Sequence, residues 1–143
     1  MLKKIVDTNI FIDRFSNQSL YKGIFQSDGL VYLSSVVLME LRAGAHSKEA
    51  IEALYELFDF FKRVDRIIVP SMKDYEHAGE IIARLQLTKG FNIQKSSSIT
   101  NDCLIAASVR SIGGVLYTQN KKDFQAIQDV FDFKVSFVQR EIN

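Results

Sequence analysis

Short apolar runs alternate along this chain with longer stretches of helical periodicity. The apolar runs are Lys3–Val6, Leu30–Leu33, Arg66–Val69, Val115–Tyr117 and Val135–Val138. Apolar residues recur every three or four positions in Val36–Ala45, Lys48–Lys62, Met72–Leu87, Asn101–Ile112 and Lys122–Val130. Strands that alternate with helices form βαβ units. The pattern therefore predicts an α/β fold with a mostly parallel central β-sheet and helices on both faces.

The length of 143 residues, with 47% hydrophobic side chains, fits a single domain over residues 1–143. The polar stretch 90–98 is short enough to be a loop between two helices. With one cysteine and no long apolar run, the chain is expected to be cytoplasmic and not to associate with a membrane. The formal net charge is only +1, so a nucleic-acid function has to depend on a local site.

Acidic side chains follow two of the predicted strands. In open parallel sheets, ligands bind outside the carboxyl ends of the strands where the strand order reverses. The first strand ends at Asp7, and the strand at 115–117 is followed by Asn120 and Asp123. Two further acids, Glu40 and Asp102, share helical stripes with apolar residues, so both are expected to face inward. The stripe of Glu40 contains Val36, Val37, Ala43 and Gly44, and that of Asp102 contains Ile105, Ala106 and Val109.

Each acid also has a purely structural interpretation. Asp7 is suited to cap the next helix, and Asp102 to complement a helix dipole. Glu40 has no such role by position, and no cation lies at an obvious spacing. Several acids that converge repel one another, which raises the pKa of at least one of them unless a cation binds. Oxygen ligands favour magnesium or manganese over zinc.

Four motifs in order along the chain carry a family resemblance. They are Val6-Asp7-Thr8-Asn9, Ser34-Ser35 with Met39-Glu40-Leu41, the run from Asn101 to Ala107, and the run from Tyr117 to Phe124. Together they resemble PIN-domain ribonucleases, especially VapC-type toxins, over essentially the whole chain. The resemblance implies three acidic metal ligands, Asp7, Glu40 and Asp102. The family often has a fourth acid two residues after the Thr, where this chain has Asn120, so Asp123 is expected to complete the site while Asn120 orients a ligand or water.

The resemblance implies a metal-dependent endoribonuclease, the toxin of a VapBC-type pair. It would hydrolyse transfer or ribosomal RNA with water activated on Mg²⁺ or Mn²⁺. Side chains expected to hydrogen-bond the carboxylates or the substrate phosphate are Thr8, Asn9, Ser35 and Thr118. Basic residues that either attract the RNA backbone or form solvated surface are Arg14, Arg42, Lys121 and Lys122. The expected partners are a second copy of the chain and a small antitoxin that lays a peptide across the cleft.

Three alternatives remain at this point. A housekeeping PIN nuclease of RNA processing would use the same acids. A metal-free, inactive PIN scaffold would act only in assembly, and the retention of every candidate acid argues against it. A receiver-like signalling domain also gathers acids and a threonine around magnesium. It requires a phosphoacceptor aspartate at the end of its middle strand, whereas the run 66–69 is followed by Pro70 and Ser71.

Overall fold

The first strand, β1, is buried on both of its faces. Lys4, Ile5 and Val6 are consecutive along it, and all three are buried, which requires cover above and below the sheet. In a computed structural model that describes residues 1–92, 94 and 98–141, helices provide this cover. The elements in chain order are β1 (Lys3–Val6), α1 (Thr8–Ser16), α2 (Lys22–Phe25), β2 (Leu30–Ser34), α3 (Ser35–Gly44), α4 (Lys48–Arg63), β3 (Ile67–Ile68), α5 (Met72–Lys89), α6 (Ile99–Ser111), β4 (Val115–Thr118), α7 (Lys121–Val130) and β5 (Lys134–Phe137).

The five strands form one parallel sheet in the order β3-β2-β1-β4-β5. The central strand β1 places Ile5 beside Tyr32 of β2 and Leu116 of β4. The chain builds outward from β1 to β3, then returns to the other side of β1 with β4. The strand order therefore reverses between β1 and β4, where a ligand crevice is expected. A receiver domain has the order 2-1-3-4-5, so this topology excludes that alternative.

The α/β fold and the parallel sheet predicted from the sequence are confirmed, with corrections at individual elements. The helices α1 and α2 were not predicted, because the stretch after Asp7 has few positions of clear helical periodicity. The strand β3 contains only Ile67 and Ile68 of the predicted run 66–69, and β5 begins at Lys134, one residue early. The predicted loop at 90–98 lies between α5 and α6, although residues 93 and 95–97 of it lie outside the described part of the chain.

Two glycines allow the chain to pass from α6 into β4. Gly113 has a φ of 67°, a left-handed conformation that costs glycine little, and its N–H donates to the carbonyl of Arg110 at 3.0 Å. A Cβ at Gly114 would lie 3.0 Å from the carbonyl oxygen of Lys3 on β1. The pair therefore lets β4 approach β1 closely and end with Thr118 beside Asp7.

Among the described residues, no helix is long and apolar enough to cross a lipid bilayer.

Candidate active site

Asp7 lies at the carboxyl end of β1 and caps α1. Its Oδ1 accepts a 2.8 Å hydrogen bond from the backbone N–H of Thr8, and its Oδ2 accepts one of 2.6 Å from the hydroxyl of Thr118. The carboxyl is buried. Asp7 is therefore the N-cap of α1, as one interpretation of the sequence proposed. Its hydrogen bond from Thr118 also connects the ends of β1 and β4 at the crevice.

Glu40 lies half-buried on α3 and points toward the same crevice. Its Oε1 accepts a 2.8 Å hydrogen bond from the hydroxyl of Thr8, and it is also hydrogen-bonded to Asn101 of α6. The inward-facing stripe predicted around Glu40 was wrong in its C-terminal half. Ala43 and Gly44 are exposed, and the buried face of α3 is formed by Val36, Val37 and Leu41.

Asp102 and Asp123 are joined through the side-chain amide of Asn120. The Nδ2 of Asn120 donates to Asp102 Oδ2 at 3.3 Å and to Asp123 Oδ2 at 3.2 Å. The Oδ1 of Asn120 accepts from the backbone N–H of Asp123, so Asn120 is also the N-cap of α7. Asp102 is buried in the first turn of α6, at the end of an almost continuously buried helix. Asn120 and Asp123 therefore both adjoin the site.

The four carboxylates affect one another electrostatically. Burial, together with the charges of Asp7, Asp123 and Glu40, raises the pKa of Asp102 to about 9. Burial also raises the pKa of Asp7, although hydrogen bonds from Thr118 and from the backbone of Thr8 oppose it. Burial raises the pKa of Glu40, and the charge of Asp7 raises it further, whereas the hydrogen bond from Thr8 lowers it. Three of the four acids thus have a raised pKa, with burial as the largest cause in each.

Helix N-termini partly compensate this repulsion. Asp7 caps α1, Asp102 lies in the first turn of α6, and Asp123 lies in the first turn of α7. The unpaired N–H groups at a helix N-terminus carry partial positive charge, which stabilises a nearby carboxylate. The dipole interpretation of Asp102 and its place in the acidic cluster are therefore compatible. Glu40 is the exception, since it lies within α3 and depends on Thr8 and Asn101.

The donor chemistry of the cluster fits a hard divalent cation. Oxygen atoms of Asp7, Glu40, Asp102 and Asp123 are the ligands that magnesium and manganese prefer. In the described part of the chain, however, no three side chains of His, Cys, Asp or Glu already have the arrangement of a coordination sphere. Thr8, Thr118 and Asn120 hold individual carboxyl groups in hydrogen bonds, so a cation would have to draw these groups together.

The remaining predicted residues divide into two groups. Thr8 and Thr118 contact carboxylates, as described, whereas Asn9 is exposed and Ser35 lines an apolar groove with Leu38 and Met39. Of the basic residues, Arg14 stacks on Phe25 at 4.2 Å and donates to the carbonyl of Leu20. Arg42 donates to the carbonyl of Ala45 at the end of α3. Lys121 and Lys122 are exposed at the start of α7.

Asn101 and Gln119 were missed as residues near the site. Asn101 precedes Asp102 on α6 and bonds Glu40. Gln119 separates Thr118 from Asn120 and points the other way, toward Asp13 and Tyr21. The only available signal was their position within the motifs, because an uncharged amide has no pattern of its own in one sequence.

Comparison with known proteins identifies the family of this chain. The PIN domain family matches residues 4–130. The tRNA(fMet)-specific endonuclease VapC of Shigella flexneri is 30% identical over 135 residues, which cover 89% of this chain and 93% of that protein. The chain belongs to the PIN-domain family, as a VapC-type nuclease. The family and the toxin type predicted from the four motifs are thereby confirmed.

Solved VapBC structures share the fold. A chain of the DNA-bound VapBC of Salmonella typhimurium is 26% identical, with a TM-score of 0.70, and the match covers 96% of this PIN-domain chain and 98% of that one. A chain of VapBC2 from Rickettsia felis, bound to a promoter DNA fragment, is 26% identical, with a TM-score of 0.71 and coverage of 96% and 100%. The VapC-type fold thus extends over nearly the whole length of this protein.

Proposed function

We propose that this VapC-type nuclease is a divalent-cation-dependent endoribonuclease whose active site is formed by Asp7, Glu40, Asp102 and Asp123. One observation carries the proposal: four carboxyl groups from separate elements converge at the β1/β4 crevice, where burial, together with the charges of the other three acids, raises the pKa of Asp102 to about 9. Such an arrangement costs stability unless a cation binds, which is why perturbed carboxylates in a cleft mark functional sites.

A bound Mg²⁺ or Mn²⁺ would act as a Lewis acid that stabilises charge on the scissile phosphate and makes water more acidic. Asp7, Glu40 and Asp102 would hold it, and Asp123 would complete the set. Thr118 and Thr8 keep the carboxyl groups of Asp7 and Glu40 in place. Asn120, with its amide between Asp102 and Asp123, orients these two acids relative to each other.

No covalent intermediate is required in this scheme. Cys103, which follows Asp102 on α6, is fully buried. Burial raises the pKa of its thiol to about 12, and the charges of Asp102 and Asp123 add to the rise. A thiol of that kind is inert at neutral pH. Hydrolysis by water is therefore the reaction that the described side chains favour.

Cleavage assays with purified RNA test the proposal. The parent should cut RNA internally in Mg²⁺ or Mn²⁺ and lose this activity in a chelator. Asp7→Asn, Glu40→Gln and Asp102→Asn should each abolish cleavage, while Asp59→Asn, at an exposed position on α4, should behave as the parent. Undiminished cleavage by Asp7→Asn would disprove the assigned site.

The RNA class is proposed by analogy with the Shigella relative, which its name describes as specific for tRNA(fMet). Selectivity has to come from the surface around the acids, because the acids themselves contact only a phosphate. Comparison of transfer RNA and ribosomal RNA as substrates, with mapping of the cut sites, would decide between them. We place this activity in the cytoplasm, where both substrates occur.

A groove beside the site supports the proposed antitoxin partner. It lies between α1, α3 and α4, has a volume of about 390 Å³ and is mostly apolar, with Glu40 in its wall. Its lining residues are Ile12, Phe15, Ser16, Glu40, Leu41, Gly44, Ala45, Ala50, Ala53 and Leu54. An amphipathic peptide segment would bury apolar side chains there, and an Arg at its end could pair with the carboxylates.

The toxin role has a direct cellular test. Expression of the chain alone should arrest growth, and co-expression with its antitoxin should relieve the arrest. An active enzyme that is harmless on overexpression would instead favour a housekeeping nuclease.

We further propose a homodimer, which agrees with the exposed aromatic side chains Tyr55 and Phe60 on α4. Light scattering coupled to size-exclusion chromatography would measure its mass.

A further inference from the structure

A second polar network lies behind the active site, on the far side of the loop that follows β4. It joins α1, the turn before α2, the loop after β4 and the segment after β5. We call it the C-terminal brace and define it by Asp13, Tyr21, Gln119, Arg140 and Glu141.

The hydroxyl of Tyr21 is the centre of the brace. It donates a 2.6 Å hydrogen bond to Asp13 Oδ2 and accepts bonds from the side-chain amide of Gln119 and from the backbone N–H of Glu141. A phenolic hydroxyl has one donor and two acceptor positions, so its capacity is fully used. Gln119 also donates to Asp13 Oδ2 at 3.2 Å. Each of these partners comes from a different segment of the chain.

The C-terminal segment closes the network from outside. The carboxylate of Glu141 accepts a 3.1 Å bond from the backbone N–H of Tyr21, and Arg140 lies 3.5 Å from Asp13 Oδ1. The backbone N–H of Val138 donates to the carbonyl of Thr118 at 2.9 Å. The segment therefore contacts both Tyr21 and the start of the loop that contains Gln119.

Forming the C-terminal brace has a cost in free energy. Tyr21 has a φ of 58°, a left-handed conformation that is strained for a bulky residue. The Tyr21 ring is buried, and so is the carboxyl of Asp13, which has to be hydrogen-bonded to be tolerated. Apolar packing is not directional. A satisfied polar network differs in that it fixes one geometry.

Gln119 connects the C-terminal brace to the active site. Its two neighbours are Thr118, whose hydroxyl bonds Asp7, and Asn120, whose amide bonds Asp102 and Asp123. The brace also includes Asp13, which lies on the same helix that Asp7 caps. The brace thus connects the two sides of the β1/β4 crevice, α1 and the loop 118–120, on the face away from the acids. A shift of about half an ångström in such a loop is enough to impair a functional site.

We propose that the C-terminal brace positions the loop 118–120 for cation binding and RNA cleavage, with Gln119 and Tyr21 as positioning residues. The inference rests on the proposed nuclease function, and neither residue contacts the cation or the substrate in it. Tyr21→Phe is the sharpest variant, since it removes three hydrogen bonds and keeps the ring.

For Tyr21→Phe we expect a severalfold lower kcat, a severalfold higher Mn²⁺ concentration for half-maximal activity, and a KM for RNA within about twofold of the parent. Gln119→Leu should resemble it. Glu141→Gln keeps the oxygen that accepts from Tyr21 and should remain parental, whereas Glu141→Ala should shift toward Tyr21→Phe. Tyr75→Phe, on the exposed surface of α5, is the matched control.

Amide hydrogen exchange in chelator gives a measurement that does not depend on activity. The backbone N–H of Asn120 donates to Thr118 Oγ1 at 3.0 Å, and its exchange should accelerate in Tyr21→Phe while that of Ile5 on β1 does not. A variant that melts earlier but keeps the parental kcat, Mn²⁺ requirement and Asn120 exchange would reduce the brace to a stabilising contact and overturn the proposal. A parent without RNA cleavage would refute the proposed function, and Asn120 exchange would still decide whether the brace positions the loop.

Discussion

The hydroxyl of Thr118 donates a 2.6 Å hydrogen bond to Asp7, across 111 positions of sequence. Both residues stand at strand ends, and their strands are neighbours only because the strand order reverses there. Thr118 is fully buried, and its Oγ1 also accepts the N–H of Asn120. One side chain thus connects the acid at the end of β1 with the loop that contains Asn120, and makes the crevice a defined site.

Thr118→Val tests this connection, since it keeps the shape of the side chain and removes the hydroxyl. The buried carboxyl of Asp7 would lose a partner, at a cost of about 1–3 kcal/mol in the free energy of unfolding. We expect weaker cation binding and at least severalfold slower cleavage, with Thr118→Ser close to the parent. Urea unfolding and Mn²⁺ titration of activity would measure both. Parental behaviour of Thr118→Val would show that the bond is dispensable.

Asn120 is expected to matter less for turnover than Asp102. Asn120→Ala removes the amide between Asp102 and Asp123 and the cap of α7, which costs about 1 kcal/mol of stability. It leaves all four carboxylates in place. Cleavage rates at saturating Mn²⁺ should therefore fall less for Asn120→Ala than for Asp102→Asn. The opposite order would mean that Asn120 is the fourth ligand and that Asp123 is peripheral.

The raised pKa of Asp102 predicts a pH dependence of stability in chelator. The folded value is about 9 and the ordinary value is 3.8, so between them the folded state holds a proton that the unfolded state has lost. The free energy of unfolding then falls as pH rises through this window. Asp102→Asn lacks the effect, so its stability relative to the parent should increase steadily with pH. Urea unfolding of both proteins at a series of pH values would measure the difference, and a constant difference would contradict the shift.

How far the sequence predicts the site depends on the kind of residue. Asp7 could be found because it follows a buried strand, and Glu40 and Asp102 because an acid beside an apolar stripe is costly and needs an explanation. The strand alternation likewise predicted the parallel sheet. The assignment of these acids as metal ligands stays a prediction, since their proximity alone does not identify a bound ion.

Other features could not be read from one sequence. Helix α1 was missed because the stretch after Asp7 has few positions of clear helical periodicity, and it is the packing of Ile10 and Phe11 against the core that favours a helix there. The sequence left Arg14 open between an RNA contact and a solvated surface residue, whereas in the structure its guanidinium stacks on Phe25. The brace joins Tyr21 to Glu141 over 120 positions, a contact that no local pattern encodes.

The groove between α1, α3 and α4 predicts a separation of antitoxin binding from catalysis. Ala53→Glu would place a charged side chain among the apolar lining residues while keeping a good helix former on α4. We expect antitoxin affinity to fall at least tenfold and RNA cleavage to remain within about twofold, because α4 contributes none of the four acids. Ala83→Glu, exposed on α5, is the matched control. Calorimetry of the complex would measure the affinity, and unchanged binding by Ala53→Glu would exclude the groove as the docking site.

Cation binding should stabilise the parent and release a proton from Asp102. Manganese stabilises the folded state by RT ln(1 + [M]/Kd), about 2.7 kcal/mol at a hundredfold excess over Kd. At neutral pH the carboxyl of Asp102 is protonated, because its pKa is about 9, so binding has to displace that proton. Asp102→Asn should melt no lower than the parent in chelator, gain much less stability from manganese, and release about one proton fewer. Thermal-shift scans would measure the gain in stability, and calorimetry in two buffers of different ionisation enthalpy would count the protons. Equal manganese-induced shifts in the two proteins would mean that Asp102 only complements the dipole of α6 and does not bind the cation.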